Sequence, residues 1–147
     1  MTSAVTVAEV AARPTAVVAA MTTWQEFPML WRQLLDEVWT CLRACGITSG
    51  CPNLMLYLDD VPHVEVGVLL ERPCPLGGRV VASTVPAGHV ARTIHRGPYS
   101  GLASAHRALS EWCAAQGRRP AGPRWEIYGP HRDDPRELWT EVSWLLA

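Results

Sequence analysis

The chain has 147 residues, 48% hydrophobic and 18% charged, which is the balance of one globular domain and excludes a disordered segment. No run of about eighteen apolar residues is present to span a membrane, and no basic region followed by an apolar stretch marks a signal peptide, so a cytoplasmic domain is expected. The net charge is -1, and all thirteen basic residues are arginine, a usage that reads as coding bias of a GC-rich genome; the densest basic group, Arg118, Arg119 and Arg124, lacks the long basic run that nucleic-acid binding needs.

In chain order, Val5 to Ala12 and Thr15 to Thr22 read as two strands joined across Arg13-Pro14. From residue 27 to 45 the apolar positions Phe27, Trp31, Leu34, Val38, Cys41 and Cys45 fall on one helical face, and Gly46 stops the helix. Pro52 then introduces a strand at Asn53 to Leu58, and a second follows at His63 to Leu70. The link Arg72 to Gly78 holds two prolines and two glycines and argues against a continuing strand. Beyond it come strands at Arg79 to Val85 and His89 to His95, across Pro86-Ala87-Gly88. A second helix is expected over 99–116, carrying Leu102, Ala105, Leu109, Trp112 and Cys113 on one face. Two last strands follow Pro123, at Arg124 to Gly129 and Trp139 to Leu146, with turn residues from Gly129 to Pro135 between them.

This order is one pattern written twice. Gly46 and Gly117, Pro52 and Pro123, and Tyr57 and Tyr128 are each 71 positions apart, and the final strands are offset by 76. The expected fold is therefore α+β: one domain, 1–147, of duplicated strand-strand-helix-strand-strand halves, 1–76 and 77–147. An antiparallel sheet with both helices on one face, related by a pseudo-twofold, is the implied architecture.

Alternation along the strands sorts the side chains into faces. Val64, Val66 and Val68, like Val142, Trp144 and Leu146, suit packing under a helix, with Leu54 and Leu56 or Trp125 and Ile127 expected beside them. The opposite face then gathers Met55, Tyr57, Glu65, Glu126, Tyr128, Trp139 and Glu141. A solvated face carries more charge and fewer bulky rings, so these residues suggest an acidic, aromatic groove between the halves. Seven of the eleven aromatic residues are Trp, whose large faces attract cations. The five cysteines are odd in number and contain no Cys-x-x-Cys; Cys41, Cys45 and Cys51 read as small buried thiols, and no metal, cofactor or disulfide framework is expected.

The run His95-Arg96-Gly97-Pro98-Tyr99-Ser100-Gly101-Leu102, then Gly122-Pro123, Trp125-Glu126-Ile127-Tyr128 and Glu141-Val142, resembles the GyrI-like effector-binding domains. The likeness is strongest over 79–147; at the first helix, Trp24-Gln25-Glu26-Phe27-Pro28 stands where the motif has His-Arg-Gly-Pro-Tyr. The resemblance implies binding of diverse lipophilic, aromatic, often cationic compounds, as in drug sensing or sequestration. It also implies Glu141 as the acidic contact, with Tyr128 and Trp139 stacking on the ligand. Two alternatives come with the family. One is hydrolysis of cyclopropane-bearing alkylators, with Glu141 and Tyr128 as the acid-base pair, and the other is a protein-interaction module of the DNA gyrase regulator kind. Both expected helices belong to the repeats, which leaves none to read DNA.

Overall fold

The computed structural model describes residues 2–147. The elements in chain order are β1 (Thr6–Val10), β2 (Arg13–Met21), α1 (Phe27–Ala44), β3 (Asn53–Tyr57), β4 (His63–Leu69), β5 (Val81–Val85), β6 (Gly88–Arg96), α2 (Leu102–Gln116), β7 (Pro120–Tyr128) and β8 (Trp139–Leu146). The protein is α+β, and the expected order of strands and helices is present in both halves. Among the described residues no helix is long and apolar enough to cross a membrane.

The chain divides into two compact units, one of Ala12–Val85 and one of Pro86–Ala147 with the stretch ending at Ala11. In the first, the antiparallel sheet runs β3-β4-β2-β5. Helix α1 begins with Pro28 in its first turn, where a missing N–H costs nothing, and buries Phe27, Leu34, Val38 and Leu42 against β2 and β4. Leu34, Val38 and Leu42 are essentially inaccessible, and burial of each contributes about 1.5–3 kcal/mol. Their counterparts on the sheet are Ala16 and Val18 of β2 and Val64, Val66 and Val68 of β4.

The second unit has the order β1-β6-β8-β7. Helix α2 lays Ala105, Leu109 and Cys113 on Ala91, Val142 and Leu146. It is entered through a 3-10 turn, Tyr99–Gly101, and leaves through Gly117 at φ +63, a left-handed cap suited to glycine. Gly101 is required for a different reason. A side-chain Cβ there would lie 2.7 Å from the His95 ring, whose Nε2 bonds the Pro98 carbonyl at 2.9 Å. The motif histidine thus braces the entry to the helix.

One pairing departs from the sequence expectation. β1 and β2 do not form a hairpin: β1 pairs with β6, from Thr6 opposite Arg92 to Val10 opposite Gly88, and β2 pairs with β5, Arg13 opposite Val85. A two-residue reversal needs positive φ, but Ala11-Ala12 precede Arg13-Pro14 with no glycine or asparagine, and no non-glycine described residue has positive φ. The chain therefore runs on without reversing. The first strand of each sequence half is exchanged, so the compact units differ in their boundaries from halves cut at 76.

Candidate functional site

Cross-strand partners project from the same side of a sheet, so the register assigns each residue a face. Glu126 lies opposite Val142 and Tyr128 opposite Thr140, while Trp125 faces Ser143 and Ile127 faces Glu141. Val142 packs on α2, which puts Glu126 and Tyr128 under the helix and Glu141 and Trp139 on the reverse face. The other unit repeats this. Met55 is opposite Val66 and Tyr57 opposite Val64, with the Phe27 ring of α1 edge-on to Tyr57 at 5.6 Å, whereas Leu56 is opposite Glu65.

The single groove face expected from alternation is therefore corrected. Glu126, Tyr128, Met55 and Tyr57 belong to the helix sides; Glu141, Trp139 and Glu65 belong to the opposite faces. The proposed Glu141 and Tyr128 acid-base pair is separated by the sheet. The reason lies in β3 and β7, which are buried on both faces: Leu54, Met55, Leu56 and Tyr57, and likewise Trp125, Glu126 and Ile127, are all buried. A strand buried on both sides has no polar face to fix its phase.

Under α2 the chemistry is concentrated. Glu126 is 5% exposed. Its Oε1 accepts from the Tyr128 hydroxyl at 2.5 Å and its Oε2 lies 2.8 Å from His106 Nε2. The indole N–H of Trp144 donates to His106 Nδ1 at 3.0 Å. Because an indole N–H can only donate, Nδ1 must be the unprotonated nitrogen, so the imidazole carries its proton on Nε2 and donates it to Glu126. Tyr128 and His106 thus each donate a hydrogen bond to the carboxylate. Aromatic surface surrounds it: Tyr99, 44% exposed, meets Tyr128 edge-on at 5.6 Å, and the Trp144 ring takes the Arg124 guanidinium 5.5 Å from its centroid.

The reverse faces differ from this. Glu141 is half-buried and its Oε1 stands 3.4 Å from Arg92 Nη1, so it already has a cation. The Trp139 ring lies over Gly129, where any Cβ would be 2.3 Å from it. Glu65 Oε1 is buried without a hydrogen-bond partner. At the strand end beyond Glu65, Asp59 accepts from the His63 backbone N–H, which holds its carboxyl below the usual range. Among the described residues no group of three or more ligating side chains is placed to hold a metal.

Sequence reasoning named Glu126 and Tyr128 but missed His106, Trp144 and Tyr99 around them, and Arg92 as the partner of Glu141. The signal was in the repeat. At the same offsets, the first half has Leu35, Val68 and Met55 where the second has His106, Trp144 and Glu126. Polar substitution at three equivalent positions, two of them apolar strand residues facing a helix, marks the cluster.

Two units of four antiparallel strands and one helix, with a buried acidic and aromatic cluster in one of them, define the class of compact ligand-binding modules. The chain belongs to the GyrI-like small molecule binding domain family, whose model matches residues 3–146. No curated protein matches the sequence. Among solved structures, the EcmrR C-terminal domain is 19% identical with a TM-score of 0.77, covering 98% of this chain and 97% of that one. Against EcmrR in its DNA complex, this chain spans 57% of that protein's length, at 20% identity, TM-score 0.76 and 97% of this chain. SAV2435, solved bound to tetraphenylphosphonium, is 11% identical with a TM-score of 0.69, covering 99% and 94% of the two chains. A hydrolase from Listeria innocua is 14% identical with a TM-score of 0.59, covering 97% and 91%. These likenesses are of fold.

Proposed function

We propose that the chain binds lipophilic aromatic cations, as a sensing or sequestering module, with Glu126 as the anion they meet. The observation that carries this reading is the buried carboxylate of Glu126, held by Tyr128 and His106 among the rings of Tyr99, Tyr128 and Trp144. A guest cation would add charge-assisted attraction to this carboxylate while stacking on the rings. The solved complex of SAV2435 with tetraphenylphosphonium supplies the probe. The role that the family resemblance gave Glu141 passes to Glu126, because Glu141 lies on the face turned away from α2 and its rings and pairs with Arg92 at 3.4 Å.

The test is a titration with tetraphenylphosphonium followed by tryptophan fluorescence, since Trp144 lies within the cluster. Saturable quenching at concentrations that leave free tryptophanamide unaffected is the expected result. Quenching that merely tracks the free indole contradicts the reading. Mass analysis of a cyclopropane-bearing alkylator after incubation decides between binding and hydrolysis: a binder returns it unchanged.

A further inference from the structure

Three of the five cysteines meet at the C-terminal end of α1, within the Ala12–Val85 unit. Cys45, at the helix C-cap, is disulfide-bonded to Cys74, 29 residues on, with Cα atoms 6.4 Å apart. Such a bond was not expected from the odd cysteine count. Cys74 lies in the connection between β4 and β5, which carries Pro73, Pro75, Gly77 and Gly78 and forms neither helix nor strand. Cys41 is one helical turn before Cys45 and so lies on the same side of α1. Its free thiol is 3.6 Å from the Pro75 carbonyl oxygen, and the Cys74 sulfur is 3.4 Å from that same oxygen. A half-buried thiol therefore sits beside a disulfide of which one partner, Cys45, is exposed.

The disulfide also has a mechanical setting. Further along the connection Arg79 pairs with Glu37 of α1, Nε to Oε1 at 2.9 Å, and that pairing lowers the Glu37 carboxyl below its ordinary range. Along this side of α1 runs a groove of about 800 Å³ lined by Met29, Asp36, Cys41, Ala44 and Val80. The positions equivalent to Cys41 and Cys45 in the other repeat are Trp112 and Gln116. The repeat unit folds there without any such bond, so the three sulfurs serve something other than the architecture.

We propose that Cys41, Cys45 and Cys74 form a thiol–disulfide exchange site for low-molecular-weight thiols and disulfides, with Cys41 as the resolving thiol. In the internal step the Cys41 thiolate attacks the Cys74 sulfur, and Cys45 leaves as a thiolate that takes up the proton Cys41 released. One thiol and one disulfide stand on each side, and no oxidant is consumed. Full opening takes two external thiols. The first attacks Cys41 in the Cys41–Cys74 bond and frees Cys74, the second displaces it from Cys41 as the external disulfide, and in net two electrons pass to Cys45 and Cys74. Reduction frees the connection from α1 and moves one wall of the groove; reoxidation by a low-molecular-weight disulfide restores it.

The experiment equilibrates the full chain in glutathione buffers of graded redox ratio, quenches in acid, alkylates, and maps disulfides by peptide mass. In the parent, Cys45–Cys74 is expected to dominate, with a minor Cys41–Cys74 species and glutathione adducts at intermediate ratios. Cys45→Ser is expected to shift the bond wholly to Cys41–Cys74. Cleavage after Glu71 by a glutamate-specific protease is expected to quicken at least tenfold on reduction. Five free thiols in the parent after treatment with oxidised glutathione, or no Cys41-linked peptide in a folded Cys45→Ser, overturns the proposal. If Cys45→Ser does not fold, Cys41→Ser decides. It retains the native bond and is expected to slow reduction by glutathione at least fivefold, and an unchanged rate overturns the resolving role.

Discussion

The two repeat units place helix on sheet with the same register and fill the interlayer with opposite chemistry. In the Ala12–Val85 unit, Met55 lies opposite Val66 and Asn53 opposite Val68, and the Tyr57 hydroxyl rests 3.7 Å from the Met55 sulfur. In the other unit Glu126 lies opposite Val142 and Arg124 opposite Trp144, and the Tyr128 hydroxyl is bonded to the Glu126 carboxylate. The apolar copy shows that this architecture does not require a buried charge. A carboxylate sequestered under a helix costs stability unless every bond to it is kept. The polar copy has kept His106, Tyr128 and Trp144 in place around one, and this asymmetry is the structural argument for a ligand site there.

Exchanging residues between the copies breaks the comparison most sharply at Gly67. Its counterpart is the buried Ser143, yet a Cβ at 67 would fall 1.9 Å from the Ala16 carbonyl oxygen of β2. Gly67→Ser, which merely copies the other unit, is expected to cost about 3 kcal/mol or more in urea unfolding, since backbone and not a flexible side chain must yield. A cost below about 1 kcal/mol would mean the two sheets are more alike than the geometry indicates.

The next effect in size separates a broken network from an absent one. His106→Leu alone removes a donor from a buried carboxylate and is expected to cost about 2–3 kcal/mol. Adding Glu126→Met, which recreates the Leu35 and Met55 pairing of the first copy, is expected to recover most of that loss, to within about 1 kcal/mol of the parent. Additive losses in the double variant, measured by the same unfolding curves, count against the view that the fold tolerates either interlayer.

Glu141→Gln is the smallest change. Its pair with Arg92 is half-exposed, so less than about 1 kcal/mol of stability is at stake. Cation affinity is expected to stay within about twofold, a difference of roughly 0.4 kcal/mol. A loss of tenfold or more returns the ligand role to the reverse face.

Much of this was legible in the sequence, and the exceptions have physical causes. Both helices, the strand order and the duplication follow from apolar spacing and from the offsets of Gly46, Pro52 and Tyr57 to their partners. The faces of β4 and β8 were readable too, because Glu65 and Glu141 interrupt them. β3 and β7 were not: with Leu54 to Tyr57 all buried, a one-residue slip in phase changes nothing visible in the pattern. Nor was the strand exchange visible, since β1 and β2 look like neighbours until the missing reversal between them is noticed. Of the seven residues named for the site, Glu126 meets Tyr128 and Met55 meets Tyr57, and the partners of Glu126 on α2 and β8 come from segments that a sequence reading treats as core.

The central claim is that the charge on Glu126 selects cations, and calorimetry of two ligands on two proteins tests it most directly. Tetraphenylphosphonium and the neutral triphenylphosphine oxide offer similar aromatic area with and without a charge. For Glu126→Gln, folded by circular dichroism, tetraphenylphosphonium is expected to lose about 1–3 kcal/mol, roughly one to two decades in affinity, while the neutral ligand changes by less than about threefold. Equal losses for both ligands, or a cation affinity within about twofold of the parent, contradict the account.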